Sequence, residues 1–195
     1  SNHHPEKDNV GHYQTTTPVI VFQMIDQHLK VASSVSLDLV NRVLLISMKH
    51  LTEFGKQYKE AVNRYAKAHF DNRTSSFTPN MIAISNNCTS LMHNARKFQD
   101  AYKKEDNNHQ VTLDRAFASV IDSFGRLKDE SIGYLIQEIV LDIDREINKV
   151  GSQEWLEDSA SVIENVCLTL EDYFRDYVYL NPENTVALKR QLQNR

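Results

Sequence analysis

Between Leu37 and Ala68 one stripe of residues returns at alternating spacings of three and four: Leu37, Val40, Leu44, Ser47, Leu51, Phe54, Tyr58, Ala61, Tyr65 and Ala68. That period belongs to an α-helix whose apolar seam is narrow and must be covered by another helix. A helix of roughly 35 residues is about 52 Å long. A compact domain of this chain's size has a radius of gyration of only about 16 Å. Whatever the rest of the sequence does, the folded product is expected to be elongated.

The remaining segments repeat the pattern. Pro18, in the first turn of a helix that Thr17 can cap, leads into Val19, Phe22, Ile25 and Leu29, and Ser33, Ser34 and Ser36 make the break before the long helix. After the polar run from Asn72, Thr78-Pro79 opens a third helix with the seam Met81, Ile84, Cys88, Leu91, Ala95, Phe98 and Tyr102, ended by Asp106, Asn107 and Asn108. Thr112 caps a fourth, of roughly 39 residues and about 58 Å. It carries Leu113, Phe117, Ile121, Phe124, Ile132, Leu135, Ile139, Ile143, Ile147 and Val150. Gly125 and Gly133 each cost about 1 kcal/mol against alanine in a helix, so a kink or short break is expected there. A fifth helix from Gln153 to Leu180 is expected to bury Trp155, Val162, Val166, Leu170, Tyr173 and Tyr177, and Asn181-Pro182 starts a last segment with Val186, Leu188 and Leu192. Residues 1–17 carry almost no apolar pattern and read as a disordered lead-in, leaving 18–195 as a helical bundle. No useful period-two run occurs, and five glycines with four prolines are too few for a sheet-rich or phosphate-loop fold. The fold class is therefore all-α, a rod-like antiparallel helical bundle.

Chemistry is looked for in vain. No His-Glu-x-x-His helix and no Glu-x-x-His pair is present, and His28, His50, His69 and His93 lack ligand spacing. His3, His4 and His12 fall in the lead-in, and Asp142 and Asp144 face different sides of one helix. No nucleophile elbow, cysteine-enzyme motif or glycine-rich phosphate loop appears. No catalytic, cofactor-binding or metal residue is nominated, and no cofactor is expected. A net charge of −4 leaves no footprint for nucleic acid. Small basic groups (Arg96, Lys97, Lys103 and Lys104, then Lys189, Arg190 and Arg195) read as solvated faces rather than as a phosphoinositide site. No run is long enough to span a membrane, and no signal peptide is visible. Cys88 and Cys167 both fall on apolar stripes and read as free, buried thiols in a reducing compartment. The sequons Asn72-Arg73-Thr74 and Asn87-Cys88-Thr89 read as incidental.

Three stretches are more specific than a heptad: Pro18-Val-Ile-Val-Phe-Gln-Met-Ile-Asp-Gln, Met81-Ile-Ala-Ile-Ser-Asn-Asn-Cys88 and Val166-Cys-Leu-Thr-Leu-Glu-Asp-Tyr-Phe174. Together they resemble the exocyst complex component three family, also called the Sec-six subunit, over roughly residues 18–180 in its central to C-terminal region. The resemblance implies a non-catalytic scaffold within a longer rod-shaped subunit. It implies a cytoplasmic protein recruited to the plasma membrane at sites of secretion, where it tethers secretory vesicles. Implied partners are other exocyst subunits and SNARE-related proteins, with peripheral membrane association through the complex. The polar pair Asn86 and Asn87 is expected to cap or bridge helices. A tethering-like paralogue of the tumour-necrosis-factor-induced family, acting in membrane remodelling, is the alternative within the superfamily. From another class, a secreted helical cytokine would suit the long helices and the sequons; a Cys88–Cys167 disulfide would mark it, and two free thiols would favour the scaffold.

Overall fold

Ser36 caps the long helix through its side chain, which accepts a hydrogen bond from the backbone N–H of Leu39, and the helix then runs without interruption from Leu37 to Asp71. The computed structural model describes residues 5–102 and 110–194. In chain order they form β1 (Glu6–Lys7), β2 (Tyr13–Gln14), α1 (Thr17–Ser33), α2 (Leu37–Asp71), α3 (Phe77–Tyr102), α4 (Gln110–Ile147), α5 (Gln153–Glu157), α6 (Ser159–Tyr177) and α7 (Pro182–Gln193). The expected end of the third helix at Asp106–Asn108 lies outside the described residues.

α4 is the spine: α3 and α2 pack along it, and α6 and α7 cover its remaining side, while α1 lies across α2 and α3. Leu44, Met48, Met81, Leu91, Phe117, Phe124, Leu127 and Leu135 form one dry core between these helices. Removing such a side chain from water contributes about 1.5–3 kcal/mol each. α3 is wrapped on most of its circumference rather than along a single seam. Ala83, Ser85, Asn86, Asn87 and Thr89 are buried as well as the heptad positions Met81, Cys88, Leu91 and Ala95, while Ile84, Phe98 and Tyr102 are half-buried.

Several expectations are corrected. The buried face of α2 follows the heptad from Val40 through Leu44 to Leu51, then continues through Gly55, Val62, Ala66 and His69. Phe54, Tyr58 and Tyr65 flank this line half-buried, and Ala61 and Ala68 are exposed. The reason is close approach: a Cβ on Gly55 would lie 2.4 Å from Ser123 Oγ, so the bare α2 backbone there packs against the Ser123 side chain of α4. Val19 of α1 is likewise exposed, and Thr16, not Thr17, occupies the N-cap without a side-chain hydrogen bond. α4 starts at Gln110, ahead of Thr112, and passes Gly125 and Gly133 without a break. Its last expected seam residues, Ile147 and Val150, are exposed, and Gly151 with φ +84° turns the chain. The single fifth helix is two, because Asp158 accepts from Ser161 N–H and caps a new start.

The largest departure is at the beginning. Residues 5–16 are not a disordered lead-in: β1 and β2 pair antiparallel, Glu6 opposite Gln14 and Lys7 opposite Tyr13. The Asp8 carboxylate accepts from the N–H groups of Val10 and His12, and Gly11, with φ +99°, closes the turn.

Candidate interaction surfaces

Asn86 and Asn87 hold this hairpin in place. The Asn86 side chain is buried and fills its entire hydrogen-bonding capacity. Its Nδ2 donates to the carbonyls of Tyr13 (2.8 Å) and Tyr179 (2.9 Å). Its Oδ1 accepts from Asn181 N–H (3.0 Å) and from Asn184 Nδ2 (3.0 Å). Asn87 Oδ1 accepts from Thr15 N–H and its Nδ2 donates to Thr15 Oγ1, both at 3.0 Å. Tyr13 N–H donates to the Tyr179 carbonyl, the two rings lie 4.4 Å apart, and Lys7 Nζ sits 4.2 Å from the Tyr179 ring centre. At the far side, Asn184 Oδ1 accepts from Thr89 Oγ1, and Asn181 caps α7. The expectation that the asparagine pair bridges elements holds, and it extends to an element that pattern reading did not see.

A second polar cluster closes the α2–α3 turn. His69, almost fully buried, stacks on Phe77 with ring centres 3.8 Å apart. Its Nδ1 accepts from Thr74 N–H at 3.0 Å, which places the ring proton on Nε2. Nε2 lies 3.2 Å from Glu138 Oε1, off the line of a good hydrogen bond. Burial, with the Arg73 guanidinium nearby, pushes the His69 imidazole below its usual range. Burial pushes the Glu138 carboxyl up, against the lowering effect of the hydrogen bond from Thr78 Oγ1. Arg73 then pairs with Asp142 at 2.7 Å, and Asp142 accepts from Tyr173 Oη at 2.6 Å, joining α6 to the same corner. Asp144 points away and is exposed. The cluster knits four segments together.

Where α1, α2 and α3 meet, they leave apolar grooves open. A groove of about 500 Å³ between α1 and α2 is lined by Val21, Met24, His28, Ile46, His50 and Phe54 among others. It continues into a second of about 400 Å³ over Val31, Leu39 and Val43. On the other side of Phe54 and Thr17, a third of about 480 Å³ separates α2 from α3 over Tyr58, Tyr65 and Ile84, with Pro5, Thr15 and Thr17 at its edge. Ser47, Phe54, Tyr58, Ala61 and Tyr65, heptad positions of α2 off the buried line, therefore face these grooves. A further apolar hollow of about 430 Å³ lies between α6 and α7, bordered by Phe174, Val178, Leu188 and Leu192. Ile163, Leu168 and Val186 are also exposed on these two helices. His69 and Glu138 line none of these hollows.

Both cysteines are free. Cys88 is buried in the core, where desolvation pushes its thiol well up. Cys167 is exposed, contrary to expectation, because α6 buries only Val162 and Tyr177. His93 pairs with Glu183 at 3.2 Å and His12 with Asp8 at 3.4 Å, and among the described residues no three His, Cys, Asp or Glu groups gather to hold a metal. Arg96, Lys97, Lys189 and Arg190 are exposed, whereas Lys103, Lys104, Arg195, His3 and His4 lie outside the described residues. Asn72 ends α2 in the open, while the Asn87 side chain is buried and its amide is bonded to Thr15, leaving no room for a glycan. No described helix is long and apolar enough to cross a membrane.

The fold has a solved counterpart. The crystal structure of the C-terminal domain of the exocyst subunit Sec6p superimposes with a TM-score of 0.83 at 17% identity, over 96% of this chain and 52% of that one. Exocyst complex component 3 of Drosophila melanogaster is 34% identical over 88% of the chain, and that of Caenorhabditis elegans 26% identical over all of it. The human exocyst complex component 3-like protein is 24% identical over 90%. The chain spans about a quarter of the length of the two component 3 relatives, 23% and 27% respectively. The model of the family described as exocyst complex component Sec6 matches residues 1–195 throughout, and the chain belongs to that family.

Proposed function

We propose that this chain is a non-catalytic scaffold segment of an exocyst subunit, one bundle within a longer rod, that tethers secretory vesicles to the plasma membrane during exocytosis. Membership of the Sec6 family supports the reading, and so does the character of the surface. The buried polar side chains Asn86, Asn87 and Glu138 join elements, while the grooves left open between helices are largely apolar. The partners are other exocyst subunits, with SNARE-related proteins as second contacts. The protein is cytoplasmic and reaches the plasma membrane through the assembled complex. Crosslinking mass spectrometry of the intact assembly tests this. Crosslinks from Lys30, Lys49, Lys97 or Lys189 to other exocyst subunits are expected. Recovery of the full-length subunit alone, with none of those subunits crosslinked or co-purified, would overturn it.

A further inference from the structure

The amino-terminal hairpin and the corner between α6 and α7 are far apart in sequence, yet both hang on one side chain. Asn86 gives one amide proton to Tyr13 in the hairpin and the other to Tyr179 at the corner, and its oxygen takes two protons from Asn181 and Asn184. The Tyr179 carbonyl in turn accepts from Tyr13 N–H, so the two segments also bond each other directly. Neither attachment is complete without the other. With the hairpin away, one Asn86 proton and the Tyr179 ring lose their partners; with the corner away, the hairpin loses the Tyr179 carbonyl, the Tyr13 stack and the Lys7 cation–π contact. Asn86 and Asn184 are buried, so the lost bonds are poorly replaced by water.

We propose that the hairpin is a latch, coupled through Asn86 to the α6–α7 corner, so that undocking either segment loosens the other. Thr15 and Thr17 also edge the groove over Phe54, Tyr58 and Tyr65. Whatever lifts the hairpin therefore opens that groove and frees the start of α7 together. Coupling of this kind is reciprocal, because it is a free energy shared by two equilibria.

The reciprocity is what the experiment reads. Asn87→Ala touches the hairpin through its two hydrogen bonds with Thr15; Asn184→Ala touches Asn86 from the corner alone. Hydrogen exchange of the whole chain should show each variant speeding the amides of both residues 6–15 and residues 180–193, by roughly fivefold or more at the remote segment. Leu113→Ala, a core change remote from Asn86, should leave the ratio between those two segments as in the parent chain. Acceleration confined to the mutated segment in either variant would overturn the latch. Should Asn87→Ala fail to fold, Thr15→Ala removes the hydroxyl that accepts from Asn87 Nδ2 at the same joint and is judged by the same two readings.

Discussion

Gly55 shows how much can turn on one missing side chain. Alanine is favoured over glycine inside a helix by about 1 kcal/mol. At this position, however, a Cβ would lie 2.4 Å from Ser123 Oγ and 3.3 Å from its Cβ, so α2 and α4 would have to separate or Ser123 rotate. Overpacking of this sort costs about 1–3 kcal/mol. Gly55→Ala should lower the unfolding free energy by about 1 kcal/mol net, seen as a lower urea midpoint, and adding Ser123→Ala, which removes the nearer atom, should restore most of it. Equal midpoints for the parent and Gly55→Ala would mean that the crossing is looser than the geometry states. His69 supports a second expectation, on pH. The unfolded chain takes up a proton on this imidazole near pH 6.5, while the folded chain, whose ring is held below that value, does so only at lower pH. Unfolded chains therefore bind more protons in that window, and stability should fall as pH drops through and below 6.5. His69→Asn keeps an acceptor for Thr74 N–H and cannot titrate. Chemical denaturation at pH 7.5 and 5.5 should show a smaller loss for this variant than for the parent.

At the scale of elements, the helical periodicity of the sequence was enough to place α1 to α4, and the break at Ser36 and the start at Asn181-Pro182 could be read directly. What slipped was the rotation of α2 beyond Leu51. Pattern reading follows large apolar residues, so it chose Phe54, Tyr58 and Tyr65, whereas the contact with α4 selected Gly55 and Ala66 for their small size. The break at Asp158 was not anticipated, because an apolar pattern continues across it. The hairpin was not legible at all. Its strands are two residues each, and what orders it is contributed by Asn86, Asn87 and Tyr179, each more than 70 residues away. The Asn86–Asn87 pair was visible as a polar anomaly, but its partners were not. The register of α2 is open to direct measurement. Met48 and Leu135 are fully buried, and truncation to alanine should cost about 2–5 kcal/mol each. Phe54 is half-buried beside a groove, and Phe54→Ala should cost clearly less despite its larger side chain. Denaturant midpoints for the three variants decide it; Phe54→Ala as damaging as Met48→Ala would return the core to the simple heptad line.

For the whole molecule, the helices set a length that no rearrangement of side chains can shorten. α4 runs 38 residues without a break, a span of about 57 Å, and α2 runs beside it for 35, about 52 Å. A near-spherical domain of this mass would have a radius of gyration of about 16 Å, hence a diameter of roughly 41 Å. The spine alone exceeds that diameter. The scaffold reading depends on the same property, since a rod presents its grooves side by side along one axis and keeps its two ends apart. Small-angle scattering of the isolated chain should therefore give a skewed distance distribution that extends beyond about 57 Å. Its circular dichroism should be strongly helical. A symmetric distribution ending near 41 Å with the helical signal intact would require α4 to fold back on itself. Gly125 and Gly133 are the weakest points for such a bend, and Gly133→Ala, where a Cβ meets only Gln191 Oε1 at 3.9 Å, should then lengthen the particle. In a continuous α4 the same substitution should leave the scattering curve unchanged and raise the unfolding free energy modestly, by about 1 kcal/mol.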